Sequence, residues 1–165
     1  MRLLFSDGAK MIRRYGWIAA LVLIADRVTK VMSEGIPVDG VALIPGWIGL
    51  RQARNTGMAF SLFSGRPWLL GLMSLAIVAG AAVVLRRKRP RRLVQAGLML
   101  MLGGALGNMI DRFWTGYVPD MIELLFVNFA IFNVADICLV AGCLMVMIGI
   151  LREDGTGEKH DGSDL

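Results

Sequence analysis

Four long apolar stretches dominate the chain: Tyr15 to Met32, Trp68 to Leu85, Leu93 to Phe113 and Ile131 to Leu151. A helix needs roughly 20 mainly apolar residues to cross about 30 Å of hydrocarbon, so the pattern predicts four transmembrane helices over about 15–32, 68–85, 93–113 and 131–151. The first ends in Asp26, Arg27 and Lys30 and lacks a small-residue cleavage site, so it reads as a retained helix and not as a signal-peptide core. Between the first two stretches the rhythm changes. Across 35–67, short β-like runs at Val41 to Ile44, Trp47 to Gln52 and Met58 to Phe63 are separated by Pro45-Gly46 and Asn55-Thr56-Gly57 turn signals. The expected fold is all-α transmembrane: a four-helix membrane bundle with a small β-rich loop domain, forming one integral membrane domain over 1–165.

Composition agrees with that pattern. Of the 165 residues 56% are hydrophobic and 19% charged, against about 45–50% and about 25% in soluble domains. The net charge of +5 is mostly topology, because Lys and Arg near helix ends stay on the cytoplasmic side. Arg86, Arg87, Lys88, Arg89, Arg91 and Arg92 crowd the second connection, and Arg2, Lys10, Arg13 and Arg14 precede the first helix. Both segments are expected to be cytoplasmic. The loop 35–67 and the Lys- and Arg-free segment 114–130 then face the periplasm, with Trp47 and Trp68 at the interface. The acidic, Gly-rich tail 152–165 returns to the cytoplasm and reads as disordered. No aromatics accompany the RRKRPRR run, so no nucleic-acid partner is expected.

The rare residues narrow the chemistry. The single histidine, His160, lies in the tail, which leaves a Ser-His-Asp triad, a Cys-His pair and a His-based zinc site without their central residue. Cys138 and Cys143, five apart in one apolar block, read as small packing residues.

Charged groups within hydrocarbon default to a functional reading, so their depth matters. At 1.5 Å per residue, Asp26 and Lys30 lie roughly 16 and 22 Å from the inner edge, Asn108 roughly 22 Å, Asp111 and Arg112 roughly 27–28 Å, Asp136 roughly 22 Å and Asn133 roughly 27 Å. Polar residues from three helices thus reach the same outer third of the bilayer. Within each helix they stand three or four apart, on one face. Three facing stripes make one polar pocket, and Gly103, Gly104, Ala105 and Gly107 allow the close helix approach it needs. Asp120, nine residues beyond Asp111 and just after Pro119, is positioned to fold back over the pocket mouth.

Four blocks carry a resemblance: Asp26-Arg27-Val28-Thr29-Lys30; Arg54-Asn55-Thr56-Gly57-Met58-Ala59-Phe60-Ser61; Gly103-Gly104-Ala105-Leu106-Gly107-Asn108-Met109-Ile110-Asp111-Arg112; and Phe132-Asn133-Val134-Ala135-Asp136. In this order on a four-span chain they resemble the lipoprotein (type II) signal peptidases, over about residues 15 to 150. The resemblance implies a catalytic pair of aspartates matching Asp120 and Asp136, supported by Asp26, Lys30, Asn55, Asn108, Arg112 and Asn133. Pro119 and Met121 depart from the family pattern, which has Val and an aromatic there. It further implies a bacterial inner-membrane aspartic endopeptidase that cuts diacylglyceryl-modified prolipoproteins just before the lipidated cysteine and is blocked by globomycin-like cyclic peptides. Neither metal nor cofactor is expected. The partners are then the prolipoproteins and membrane lipids, and Asn55 and Trp47 are expected to help close over the substrate.

Three other readings compete, of which a purely structural membrane subunit leaves the polar pocket unexplained. A small proton-coupled transporter also uses intramembrane carboxylates, but no inverted repeat or broken-helix pair is visible. A Ser-Lys peptidase would enlist Ser33 with Lys30, yet needs a depressed lysine pKa that Asp26 one turn away opposes.

Overall fold

The computed structural model describes residues 2–57, 63, 65–87 and 90–157, with side-chain surroundings for 13–57, 63, 65–85 and 90–152. Four helices appear among them: α1 (Arg2–Ser33), α2 (Pro67–Arg87), α3 (Arg92–Trp114) and α4 (Val134–Gly157). Strands β1 (Val41–Ile44), β2 (Ile48–Asn55) and β3 (Val118–Leu124) form one antiparallel sheet in the order β1-β2-β3.

Among the described residues three helices are long and apolar enough to cross a membrane: Pro67–Leu85, Arg92–Trp114 and Val134–Arg152. Four were expected. α1 falls short on composition, because Asp26, Arg27 and Lys30 interrupt its apolar run. Its exposure is nevertheless inside out: Val22, Asp26, Lys30 and Ser33 are buried, while Trp17, Leu21, Ile24, Val28 and Val31 form an exposed apolar ridge at alternating spacings of four and three. A polar face buried beneath an apolar exterior is the reverse of a surface helix in a soluble protein.

α3 is the central helix, packed against α1, α2 and α4. Glycine makes this possible. A Cβ at Gly103 would stand 2.7 Å from the Ala19 carbonyl oxygen of α1, and one at Gly104 would stand 2.5 Å from that of Ala135 in α4. Two partner backbones therefore touch adjacent residues of α3, which brings the polar stripes of three helices together.

The sheet differs from the expectation in its third strand. β1 coincides with the first β-like run and β2 extends the second to Asn55, but the run Met58 to Phe63 lies outside the described residues except for Phe63. β3 comes instead from the segment after α3, so Asp120 lies within a strand and not on a loop folded over the pocket. Ala53 pairs with Asp120, Arg54 with Pro119 and Asn55 with Val118. Pro119 has no N–H to give, which suits β3 as the last strand of the order β1-β2-β3.

The fourth helix starts at Val134, three residues later than expected. Phe132 is held in extended backbone by exchanging hydrogen bonds with Ile122 of β3, at 2.9 and 3.0 Å. Asn133 is thus the residue before the helix and not within it. At the other end α4 runs on to Gly157, past the start of the expected disordered tail; residues 158–165 lie outside those described.

Candidate active site

Asn133 organises the site. Its side-chain oxygen accepts the N–H of Asp136 at 3.0 Å, while the Asp136 carboxylate accepts the N–H of Asn133 at 3.2 Å. This reciprocal pair is a capping box. The Asn133-x-x-Asp136 spacing therefore both starts α4 and fixes one carboxylate at a helix N-terminus, where main-chain dipoles favour negative charge.

The same asparagine reaches the second carboxylate. Asn133 Nδ2 donates to Asp120 Oδ1 at 2.6 Å, and Asn55 Nδ2 donates to Asp120 Oδ2 at 2.8 Å. The register explains both contacts. Asn55 and Asp120 are diagonal neighbours on β2 and β3, and the Phe132–Ile122 bridge sets Asn133 beside β3. Asn108 of α3 completes the set by donating Nδ2 to Asp136 Oδ1 at 2.8 Å. Two carboxylates thus share one asparagine, and amide or backbone donors occupy all four of their oxygens.

Burial raises Asp120 from the ordinary carboxylate value of 3.8 to about 6; the neighbouring Asp136 pushes the same way, while the donors Asn55 and Asn133 and the charge of Lys30 oppose it. A carboxyl in that range is half protonated near pH 6, where an ordinary aspartate is almost fully ionised.

Beneath the pair lies a charged quartet that sums to zero. Arg27 grips Asp111 with two parallel hydrogen bonds, 2.6 and 2.7 Å, and also reaches Asp26 at 2.9 Å. Lys30 Nζ donates to Asp111 at 2.7 Å and to Asn108 Oδ1 at 2.9 Å. It sits 2.9 Å from both Asp26 oxygens, aligned for a hydrogen bond only to Oδ2. Asp26, Lys30 and Asp111 are all buried. Arg112 stands apart from these ion pairs; among the described residues it makes long contacts to the carbonyls of Asn108 and Gly57 at 3.5 and 3.4 Å.

Asn55, Asn108, Arg112, Asp120, Asn133 and Asp136 form the polar end of a cavity of about 700 Å³. Its remaining walls are apolar apart from Ser74, with Leu70, Met73 and Ile77 from α2 facing Ile137, Val140 and Leu144 from α4. Both helices rest on α3, and the space between them is the cavity.

All eight residues singled out in the sequence converge here. Sequence reasoning put Asp111 in the polar stripe of its helix but gave Arg27 no part in the pocket, and local spacing gives no sign that the two pair across helices. Trp47 is not at the cavity: it packs against Phe126 with ring centroids 5.3 Å apart, at the distant end of β2. Ser33 is not paired with the Lys30 amine either, since its hydroxyl donates to the Lys30 main-chain carbonyl at 2.7 Å. Both cysteines are free. Among the described residues no group of three His, Cys, Asp or Glu is arranged to hold a metal ion.

Apolar spans around a buried polar interior, with two acids at the head of an apolar cavity, define a membrane enzyme in outline. Residues 18–152 match the family model described as signal peptidase (SPase) II. The lipoprotein signal peptidase of Lactiplantibacillus plantarum is 37% identical over 144 residues, covering 84% of this chain and 97% of its own. That of Parasynechococcus marenigrum is 40% identical over 146 residues, covering 87% and 91%. A solved bacterial membrane enzyme, determined in meso at 2.3 Å resolution, superposes with a TM-score of 0.83 at 29% identity, covering 93% of this chain and 96% of that one. A second, determined at 1.9 Å, gives 0.77 at 30% identity, covering 86% and 94%. The chain belongs to the signal peptidase II family of proteases.

Proposed function

We propose that the chain is an aspartic endopeptidase of the bacterial inner membrane that removes the signal peptide from diacylglyceryl-modified prolipoproteins, cutting just before the lipidated cysteine. Asp120 and Asp136 act as the catalytic pair. The observation that carries this reading is their junction through Asn133 at the polar head of an otherwise apolar cavity. Two adjacent buried carboxylates do not ionise together easily, so the pair holds one proton. The ionised member takes a proton from water as the water oxygen attacks the scissile carbonyl carbon. Its partner gives its proton to the carbonyl oxygen. The proton gained from water then passes to the amide nitrogen as the C–N bond breaks, and one hydroxyl of the tetrahedral intermediate returns its proton to the partner as the carbonyl re-forms.

Asn55, Asn108 and Asn133 hold the carboxylates, Arg112 faces the substrate backbone, and Asp26 with Lys30 supports the site. An anchored substrate need not leave the bilayer to be cut, because the cavity lies between helices whose outer faces are apolar. α1 is the fourth span in this reading, supported by its exposed ridge of Trp17, Leu21, Ile24, Val28 and Val31. Globomycin-like peptides should occupy the same cavity. Purified full-length chain is expected to cleave a diacylglyceryl-modified prolipoprotein equally well with and without a chelator, and far better than the unmodified form. Failure of a folded sample to cleave would return weight to a transporter.

The sheet then faces the periplasm, with the Arg86 to Arg92 connection and both termini in the cytoplasm, supported by the basic cluster there. Single cysteines at positions 65 and 88, in a background lacking Cys138 and Cys143, are expected to label oppositely with an impermeant thiol reagent. Labelling of position 88 from outside intact cells would overturn this orientation.

A further inference from the structure

Each asparagine around the two acids has its side-chain oxygen committed to a donor elsewhere. Asn55 Oδ1 accepts the Gly57 N–H at 2.9 Å, Asn133 Oδ1 accepts the Asp136 N–H at 3.0 Å, and Asn108 Oδ1 accepts Lys30 Nζ at 2.9 Å. An amide has one accepting and one donating end. Occupying the oxygen therefore turns the NH₂ group toward a carboxylate, as all three asparagines show.

For Asn55 and Asn133 the committing donor is main chain. For Asn108 it is one side chain, an ammonium with three protons and no accepting atom. Asn133 Nδ2 also approaches Asn108 Oδ1, at 3.3 Å, but that contact is longer and uncharged, and the same NH₂ serves Asp120 at 2.6 Å. Without Lys30, only that weaker contact opposes a turn of the Asn108 amide that would set its oxygen against Asp136. Two acceptors would then face each other in a buried site.

On the reading of Asp120 and Asp136 as the catalytic pair, we propose that Lys30 is a positioning residue, whose contact with Asn108 fixes which end of that amide meets Asp136. This goes beyond charge balance. Two acids and two bases already neutralise the quartet, and the bond to Asn108 adds nothing to that sum.

The test removes Lys30 while keeping the charges balanced. Lys30→Met alone leaves two buried acids against one base, whereas Lys30→Met with Asp26→Leu deletes one of each and retains the doubly bonded Arg27–Asp111 pair. In the full chain acting on diacylglyceryl-modified prolipoprotein, this double variant should keep its KM, while kcat falls about 10- to 100-fold through misplacement of the acid. Adding Asn108→Ala to it should then change kcat by no more than about twofold, because the two sites act as one unit. Lys30→Gln with Asp26→Leu, which restores a neutral donor, should recover part of the loss. A folded double variant with wild-type kcat, or full additivity with Asn108→Ala, overturns the proposal. An unfolded double variant also counts against it, since Lys30 would then be needed by the fold itself. Asp136→Asn is the control: if that variant still turns over, the catalytic-pair reading falls too, whereas an inactive Asp136→Asn beside a fully active double variant removes only the role of Lys30.

Discussion

Asp120→Asn and Asp136→Asn are each expected to lower kcat by at least about 10²- to 10⁴-fold, the usual worth of an acid-base partner, while the chain stays folded. An amide keeps the shape of the carboxyl but cannot take a proton from water. Stability separates the two variants further. For Asp120 the folded chain binds its proton more tightly than the unfolded chain, with a pKa of about 6 against 3.8. This group therefore favours folding fully below 3.8, and that contribution is lost as the pH rises through about 6. Asp120→Asn removes the dependence, so the change in melting temperature that the wild type shows between pH 3.8 and about 6 should be absent, while its NH₂ set against that of Asn55 or Asn133 adds a cost at every pH. Asp136→Asn loses a negative charge from the first turn of α4, worth about 0.3–1 kcal/mol, and should melt slightly lower. Thermal melts beside initial rates of prolipoprotein cleavage measure both effects. Substantial turnover in either variant removes that aspartate from the pair.

The helices and the polar convergence were legible in the sequence because both follow from local spacing. Asp26 with Lys30, Asn108 with Asp111 and Arg112, and Asn133 with Asp136 share faces by the three-to-four rule, and depth counting brings them level. What local spacing cannot show is which residues meet across elements. Asp111 and Arg27 stand 84 positions apart, and only the close approach at Gly103 and Gly107 joins them. The third strand was missed because Val118 to Leu124 carries Pro119 and Asp120, residues that strands avoid. Its pairing is set from outside, by β2 on one edge and Phe132 on the other. Asn133 was placed within a helix because an apolar run does not reveal where a helix begins. The Asn133-x-x-Asp136 spacing was the available sign.

Asp111 is the carboxylate most easily mistaken for a catalytic one, and Asp111→Asn is expected to weaken the fold far more than the chemistry. Arg27 and Lys30 between them satisfy both of its oxygens. It does not line the cavity that holds Asp120 and Asp136. Removing one partner of a buried ion pair leaves the other charge uncompensated and typically costs about 3–5 kcal/mol. Lys30 and Asp111 are both almost wholly buried, with side chains 4% and 5% exposed, so the full penalty applies to that pair. The melting temperature of the solubilised chain should therefore fall clearly. Turnover per folded molecule should fall less than the 10²-fold expected of an acid-base residue, because Lys30 keeps its bonds to Asp26 and Asn108. Replacing the partners together should separate charge balance from chemistry. Arg27→Leu with Asp111→Leu leaves Asp26 and Lys30 as a balanced pair, and should be more stable than Asp111→Leu alone, since apolar replacement of a whole buried pair is often neutral. If Asp111→Asn proved inactive yet as stable as the wild type, Asp111 would belong to the catalytic pair and the assignment of Asp120 would be wrong.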